Sequence, residues 1–572
     1  MKRIRKYMKK YWYLYFFGSV ALLSSIVLDL FTPMITGTIV DDVIEGGNID
    51  IFKGLIIGLI GITLGRAIFG YIKEIMFDLV GSKIVCELRQ DLFDHIQSLS
   101  LGFFNRKNTG ELMSRIKDDA DRVWEGISFG LMLFIEIIIY FIIATIFMFS
   151  ISAKLSLIAF ITLPIIAYMA VLLEKKVGVT YEKISEQNAT LNTTAQENIA
   201  GIRLVKAFAR ERHEIKKFFK HNESYYKLNM EQATIWSRFF PGIEMLTNIL
   251  PILVIVFGGS MVISQDLTIG TLIKFTGYMN MVVWPMRSFG FLSNIMAEAN
   301  ASAKKIDKIF IEIPEIKNVN RPVEIAEPKG KVEFRNVSLE LDGKKVLEDI
   351  NFEITPSKTL AIMGTTGSGK TSIINLLERF YDTTEGEILI DNQEIKDIDL
   401  ISLRSNISVV MQDVFLFSDT IKENISLGYG QSMANDKVIN SAQSAKADDF
   451  IKHMEEGYDT IIGERGIGLS GGQKQRISIA RALAKECKII VFDDSTSALD
   501  MKTEHKIQKE IDKKSDITKI IVAHRISAVK NADEIIILED GKIVERGNHA
   551  SLIKIKGRYY DTLKEQYEGY AV

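Results

Sequence analysis

Six apolar segments dominate the first 300 or so residues, near 14–39, 53–78, 128–150, 155–176, 240–264 and 270–296. Each is long enough for a helix to cross the hydrocarbon core of a bilayer, which takes about 20 mostly apolar residues. That feature confines residues 1–310 to an all-α, six-helix transmembrane domain. The connections 41–50, "SISAKLS" and "SQDLTIG" are short and poor in basic residues, whereas 80–127 and 178–238 are long and rich in Lys and Arg. The positive-inside rule therefore places the N-terminus and both long connections in the cytoplasm. Both connections carry apolar residues at spacings of three and four, so the spanning helices are expected to continue as long cytoplasmic extensions. The basic start, "MKRIRKYMKKYW", is read as an amphipathic segment on the inner membrane surface ahead of a retained first span. A cleaved secretory signal is the alternative.

The chain is too long, at 572 residues, for one ordinary domain. Residues 311–330, "IEIPEIKNVNRPVEIAEPKG", hold three prolines and no lasting periodicity and read as a linker. From 331 to 572 short β-rich runs such as "KTLAIMG" and "KIIVFDD" alternate with helical stretches, which predicts an α/β domain with a largely parallel central sheet. The formal charge of −2 is segregated by region, and Cys86 and Cys487 fall in different halves, so no disulfide framework is expected.

"GTTGSGKT" (364–371) follows an apolar strand and opens a helix. Gly364, Gly367 and Gly369 let the backbone turn its N–H groups toward phosphate oxygens, with Thr365, Thr366, Ser368 and Ser372 completing the loop and the first helical turn. Lys370 is expected on the β- and γ-phosphates of ATP, and the Thr371 hydroxyl on Mg²⁺. The strand "IIVFD" ends in Asp493, a carboxylate placed for the same ion. Asp494 follows it, where a hydrolase of this type would place a glutamate to activate water.

"LSGGQKQRISIARAL" (469–483) precedes that strand, and with it the whole chain resembles a half-transporter of the ABC exporter family. Other family elements stand in order: Gln412 in "VVMQDVFLF", "GERG" (463–466) as a cross-contact loop, "SALD" (497–500) as the dimer loop, and His524 in "VAHR" as the switch histidine. "FFNRKNTGELMSRIKDDADRV" (103–123) resembles the segment that docks on the nucleotide domain, and the charged run "RERHEIKK" reads as a solvated helix face, with a second docking segment as the alternative.

The resemblance implies a multi-pass cytoplasmic (inner) membrane protein with an α/β P-loop ABC ATPase domain in the cytoplasm. It also implies a dimer. Lys370, Thr371, Gln412, Asp493, Asp494 and His524 would serve the ATP site this chain holds, with Gln412 also near the metal. Ser470, Gly471, Gly472 and Gln473 would close the site held by the partner. The implied partners are a second half-transporter, membrane lipids and a small-molecule cargo, with no nucleic acid. With the first span so early, no peptidase domain is expected ahead of it.

Two positions depart from the family pattern. Asp494 replaces the catalytic glutamate, and its carboxylate sits roughly 1.5 Å nearer the backbone. Leu341, in "NVSLELDGKKVL", stands where the family usually carries an aromatic residue to stack on adenine. Both fall on the self-held site while the donated signature is intact, an asymmetry that resembles the degenerate-site subunit of heterodimeric bacterial multidrug exporters. A homodimer in which Asp494 is a slow base, and a membrane subunit that uses ATP only as a regulatory ligand, are the alternatives. In the spans, Asp29, Arg66, Glu136, Glu244, Asn248, Asn280 and Arg287 are costly in lipid and are expected either to join helices or to line a cavity, with Tyr278 and Trp284 as aromatic contacts and Pro285 breaking or kinking the sixth helix.

Overall fold

A computed structural model describes residues 2–429, 433–463, 466, 468–495 and 498–568. Glu464 and Arg465 of the "GERG" segment and Ser497 of "SALD" lie outside these. The chain divides into two compact units, 1–98 with 107–313, and 99–106 with 314–572.

The first unit is helical throughout its spans: Trp12–Thr38, Phe52–Gln97, Leu131–Ile151, Ala153–Ala200, Glu211–Ile263 and Ile269–Ile311. The Glu211–Ile263 helix has 53 residues, about 80 Å at 1.5 Å per residue, against a hydrocarbon core of about 30 Å. Its excess length carries charged residues beyond the apolar zone. Leu22, Ile26, Leu155, Leu250, Val254, Phe275 and Val282 make a shared apolar core, while Phe16, Ile57, Ile60 and Leu64 face outward, as lipid-facing positions do.

Among the described residues five helices are long and apolar enough to cross a membrane, and Ile269–Ile311 is not one of them. This helix forms where the sixth span was expected, but it carries Lys274, Asn280 and Arg287, which lower its apolarity. It also runs through Pro285 as one helix, so of the expected break or kink the break is absent. The basic start forms the helix Lys2–Lys10, with Ile4 and Tyr7 buried and the Tyr7 hydroxyl on Asp91.

In the second unit a six-stranded sheet has the order β10-β9-β3-β8-β7-β6, built from β3 (Thr359–Gly364), β6 (Ile407–Val410), β7 (Ile489–Asp493), β8 (Thr518–Val522), β9 (Glu534–Glu539) and β10 (Lys542–Gly547). All its pairings are parallel except β9 with β10. Alternate residues of each inner strand enter two different cores: Leu360, Val491, Ile520 and Ile536 one, Ala361, Phe492, Ile521 and Ile537 the other. Burial on both faces is why these strands read as continuous apolar runs.

A second, antiparallel sheet, β2-β1-β4-β5, joins β1 (Val332–Leu341), β2 (Lys344–Ile354), β4 (Glu385–Ile390) and β5 (Gln393–Glu394). It was not foreseen. Residues 99–106 fold with this unit: Asn105 donates to the Tyr381 hydroxyl at 2.8 Å, and the Ser100 hydroxyl accepts the Ile316 N–H at 3.0 Å.

Candidate functional site

Four loops leave the carboxyl ends of β3, β6, β7 and β8, which lie side by side and point the same way, so a site at this edge follows from the topology. β3 delivers the phosphate loop, β6 leads to Gln412, β7 ends in Asp493, and β8 is followed by His524. A cavity of about 230 Å³ there is lined by Thr366, Gly367, Gly369, Lys370, Thr371, Ser372, Gln412, Asp493, Asp494 and His524, with Val346 and Val522.

Two glycines of the loop are required by space. Gly364 has φ 155° and a Cβ there would stand 2.3 Å from the Leu538 carbonyl oxygen. At Gly369, φ 101°, a Cβ would meet the Leu347 side chain at 2.6 Å. The Lys370 ammonium arches over the loop and donates to the carbonyls of Gly364 at 3.0 Å and Thr365 at 2.7 Å. Ser368 is buried, and its Oγ has no hydrogen-bond partner among the described residues. Gly364, Thr365 and Ser368 therefore shape the loop from behind instead of lining the cavity.

The Thr371 hydroxyl donates to Asp493 Oδ2 at 3.3 Å, and Gln412 lines the same cavity. Hydroxyl, amide and carboxylate oxygens are the donor set a hard divalent cation takes, so these three residues fit Mg²⁺. Among the described residues no cluster of three or more His, Cys, Asp and Glu could hold a metal, so the remaining ligands of such an ion would be water or phosphate oxygens.

Burial pushes the Asp493 carboxyl upward, and Asp494 adds to that, against the Thr371 hydroxyl and the charges of Lys370 and His524. Burial pushes the Lys370 ammonium downward, opposed by Asp493 and Asp494. A sequestered lysine and two adjacent carboxylates are the electrostatic setting in which a phosphate and its cation bind together. Asp494 has φ 42°, a left-handed conformation that Asp tolerates better than most residues, and its N–H is tied to the Val522 carbonyl at 2.8 Å.

Ser470 caps the helix Gly471–Ala484: its hydroxyl accepts the Gln473 N–H, and the Gln473 side chain returns to the Ser470 N–H at 2.8 Å. This reciprocal pair orders the helix start. Ser470, Gly471, Gly472 and Gln473 do not line the cavity of their own chain. Leu341 packs against the sheet core instead of lining the cavity, and Val346 of β2 forms that wall. Nothing local distinguishes Val346 in "KKVL" from an ordinary strand valine.

The helical unit has its own cavity, about 470 Å³, lined by Asp29, Thr36, Glu136, Tyr140, Asn280 and Trp284 among others. The expected polar residues are largely paired between helices. Asp29 meets Arg66 at 2.5 Å and accepts from the Tyr140 hydroxyl at 2.9 Å. Glu136 pairs with Lys73 at 2.9 Å, and Glu244 pairs with Arg287 and accepts from Asn248 at 3.5 Å. Tyr278, expected as a cavity aromatic, is buried, and its hydroxyl donates to the Leu30 carbonyl at 2.9 Å.

Comparison with known families finds the ABC transporter transmembrane region over residues 15–286 and the ABC transporter domain over 347–497. An uncharacterized ABC transporter ATP-binding protein of Bacillus subtilis, YknU, is 37% identical across 98% of this chain and 96% of its own length. An ATP-dependent lipid A-core flippase of Syntrophus aciditrophicus is 35% identical across 92% of this chain and 88% of its own. A putative multidrug export ATP-binding/permease protein of Bacillus subtilis, YgaD, is 32% identical across 98% of each chain. A bacterial Atm1-family ABC exporter with ATP bound superposes with TM-score 0.81 at 26% identity, covering 99% of this chain and 98% of that one.

Proposed function

Because this chain belongs to the ABC transporter family, as a transmembrane region fused to one ABC ATPase domain, we propose that it is one half of a heterodimeric exporter whose own ATP site turns over slowly. The observation that carries this reading is Asp494. It faces the cavity beside Asp493 with its main chain tied down, while the signature helix start is complete and lies outside its own cavity. In this reading Lys370 and the loop N–H groups grip the phosphates. Thr371, Asp493 and Gln412 hold the cation, His524 faces the γ-phosphate, and Asp494 orients water poorly. When bound there, Mg²⁺ would supply charge neutralisation for the phosphates. Ser470, Gly471, Gly472 and Gln473 complete the partner's site.

ATP binding then favours the closed pair of domains, shifting the membrane unit from inward to outward access by alternating access. Hydrolysis at the partner-held site resets it. The cargo is a small amphipathic or lipid-like molecule, a class supported by a mainly apolar cavity that carries Asp29, Glu136 and Asn280 beside Tyr140 and Trp284, and by relatives described as a lipid A-core flippase and a putative multidrug exporter. The protein lies in the cytoplasmic membrane with its N-terminus and ATPase domain inside, supported by Lys and Arg in the long connections. Exposed Ile199, Leu204, Phe208 and Ile215 around the second connection support a partner chain as their cover.

Inverted vesicles test the transport reading: accumulation of a fluorescent amphipathic cargo with ATP, and none with a non-hydrolysable analogue, is expected. Equal accumulation with both nucleotides refutes coupling to hydrolysis. If the purified chain alone hydrolyses ATP as fast as when co-purified with any second half-transporter, the heterodimer is refuted.

A further inference from the structure

The helix Arg558–Glu568 is anchored at its start and bonded through Gln566 near its end. Glu545 of β10 accepts the backbone N–H groups of Arg558 and of Tyr559, the latter at 3.2 Å. Tyr559 is buried, and its hydroxyl shares a 2.6 Å hydrogen bond with His549 Nδ1. Leu563 packs on the core that contains Ile526 and Val529. These contacts fix the helix to the sheet end, so the next turn has a set position.

That turn presents Gln566. Its Nε2 donates to the carbonyl of His524 at 2.6 Å, and its Oε1 accepts the N–H of Ile526 at 2.9 Å. The main-chain partners, one acceptor and one donor, admit only this orientation of the amide. One planar group thus clamps both sides of the His524–Arg525 step just after β8, where the imidazole meets the cavity. Backbone groups outside a regular ladder need such partners, and here a single distant side chain supplies two.

We propose that Gln566 is a positioning residue for His524, through which the C-terminal helix sets how well this site distinguishes ATP from ADP. The inference rests on the reading of His524 as the group that faces the γ-phosphate. ADP lacks that phosphate, so its affinity reports on the loop and Lys370 without His524.

The test uses the full chain in lipid nanodiscs, displacing a fluorescent nucleotide with a non-hydrolysable ATP analogue or with ADP in Mg²⁺. Gln566→Ala is expected to lower the analogue-to-ADP affinity ratio roughly tenfold, the order of one misaligned hydrogen bond, with ADP affinity within about twofold of the parent. Gln566→Glu keeps the acceptor but sets a carboxylate against the His524 carbonyl, and is expected to do no better. His524→Ala is expected to lower the ratio as much, with no further loss in the double variant. An unchanged ratio in Gln566→Ala beside a lowered one in His524→Ala overturns the clamp alone. An unchanged ratio in His524→Ala overturns the reading of His524 and the clamp together. Equal loss of both nucleotides in Gln566→Ala marks general damage to the fold and also overturns the positioning role.

Discussion

Replacing Asp494 with glutamate restores one methylene and extends the carboxylate by about 1.5 Å. The parent cannot make up that distance by moving its main chain. Its N–H is bonded to Val522 at 2.8 Å, its φ is held at 42°, and β7 before it is fully buried. A water-orienting group displaced by about 1 Å costs on the order of 100-fold, or about 2.7 kcal/mol of barrier. The purified chain, reconstituted in lipid, should therefore gain between tenfold and 100-fold in phosphate release on Asp494→Glu, with ATP affinity within a few-fold of the parent. Phosphate release by a coupled-enzyme assay and affinity by nucleotide displacement separate the two. The reasoning fails if Asp494→Glu leaves turnover unchanged while binding is intact. It also fails if Asp494→Asn lowers the parent rate by about 100-fold, because aspartate would then already be a competent base.

Other perturbations follow from the same geometry. Lys370→Met removes the buried ammonium that lines the cavity and, on the proposed reading, should weaken ATP binding by about 2–3 kcal/mol, measured by nucleotide displacement. Ser470→Ala removes the cap of the signature helix, which costs about 1 kcal/mol, lowers Tm by a few degrees, and should depress turnover of the assembled pair. Glu378, just after the phosphate-loop helix, has an Oε2 sealed from solvent without a hydrogen-bond partner among the described residues. Burial pushes its carboxyl up to about 7, against the charges of Arg404 and Lys485. The folded state thus holds that proton more tightly than the unfolded one, whose value is about 4.3, so the domain should lose roughly 3 kcal/mol as pH rises from about 4 through 7. Glu378→Gln should flatten that slope in denaturant titrations, and an unchanged slope refutes it. Glu244→Gln leaves Arg287 unpaired between helices and should lower Tm in nanodiscs, with Arg287→Gln partly relieving the loss.

Much of the fold was legible because its signals are local. A span is a length of apolar chain, and a phosphate loop is a strand, three glycines and a lysine in a few residues. The buried parallel strands were equally legible, since burial on both faces leaves nothing polar in them. The sixth span was expected on length, but Lys274 and Arg287 find Asp41 and Glu244 within the helical unit, which lets that helix be more polar than a lipid-facing one. Pro285 suggests a break or a kink on local grounds, and the helix continues through it without a break.

Most residues that line the cavity at the strand ends were named from sequence because motif spacing and strand ends specify them. What sequence by itself determined, then, is the membrane-spanning half, the phosphate loop with its acidic strand, and the substitution at Asp494. Only the tertiary structure decided that Asp29 joins Arg66, that Tyr278 is sealed against Leu30 and that Val346, not Leu341, walls the cavity. It alone brought Gln566 across 42 positions to the His524 main chain. Such contacts depend on how packed elements register against one another, and a distant glutamine in an amphipathic helix carries no local mark of the carbonyl it will meet.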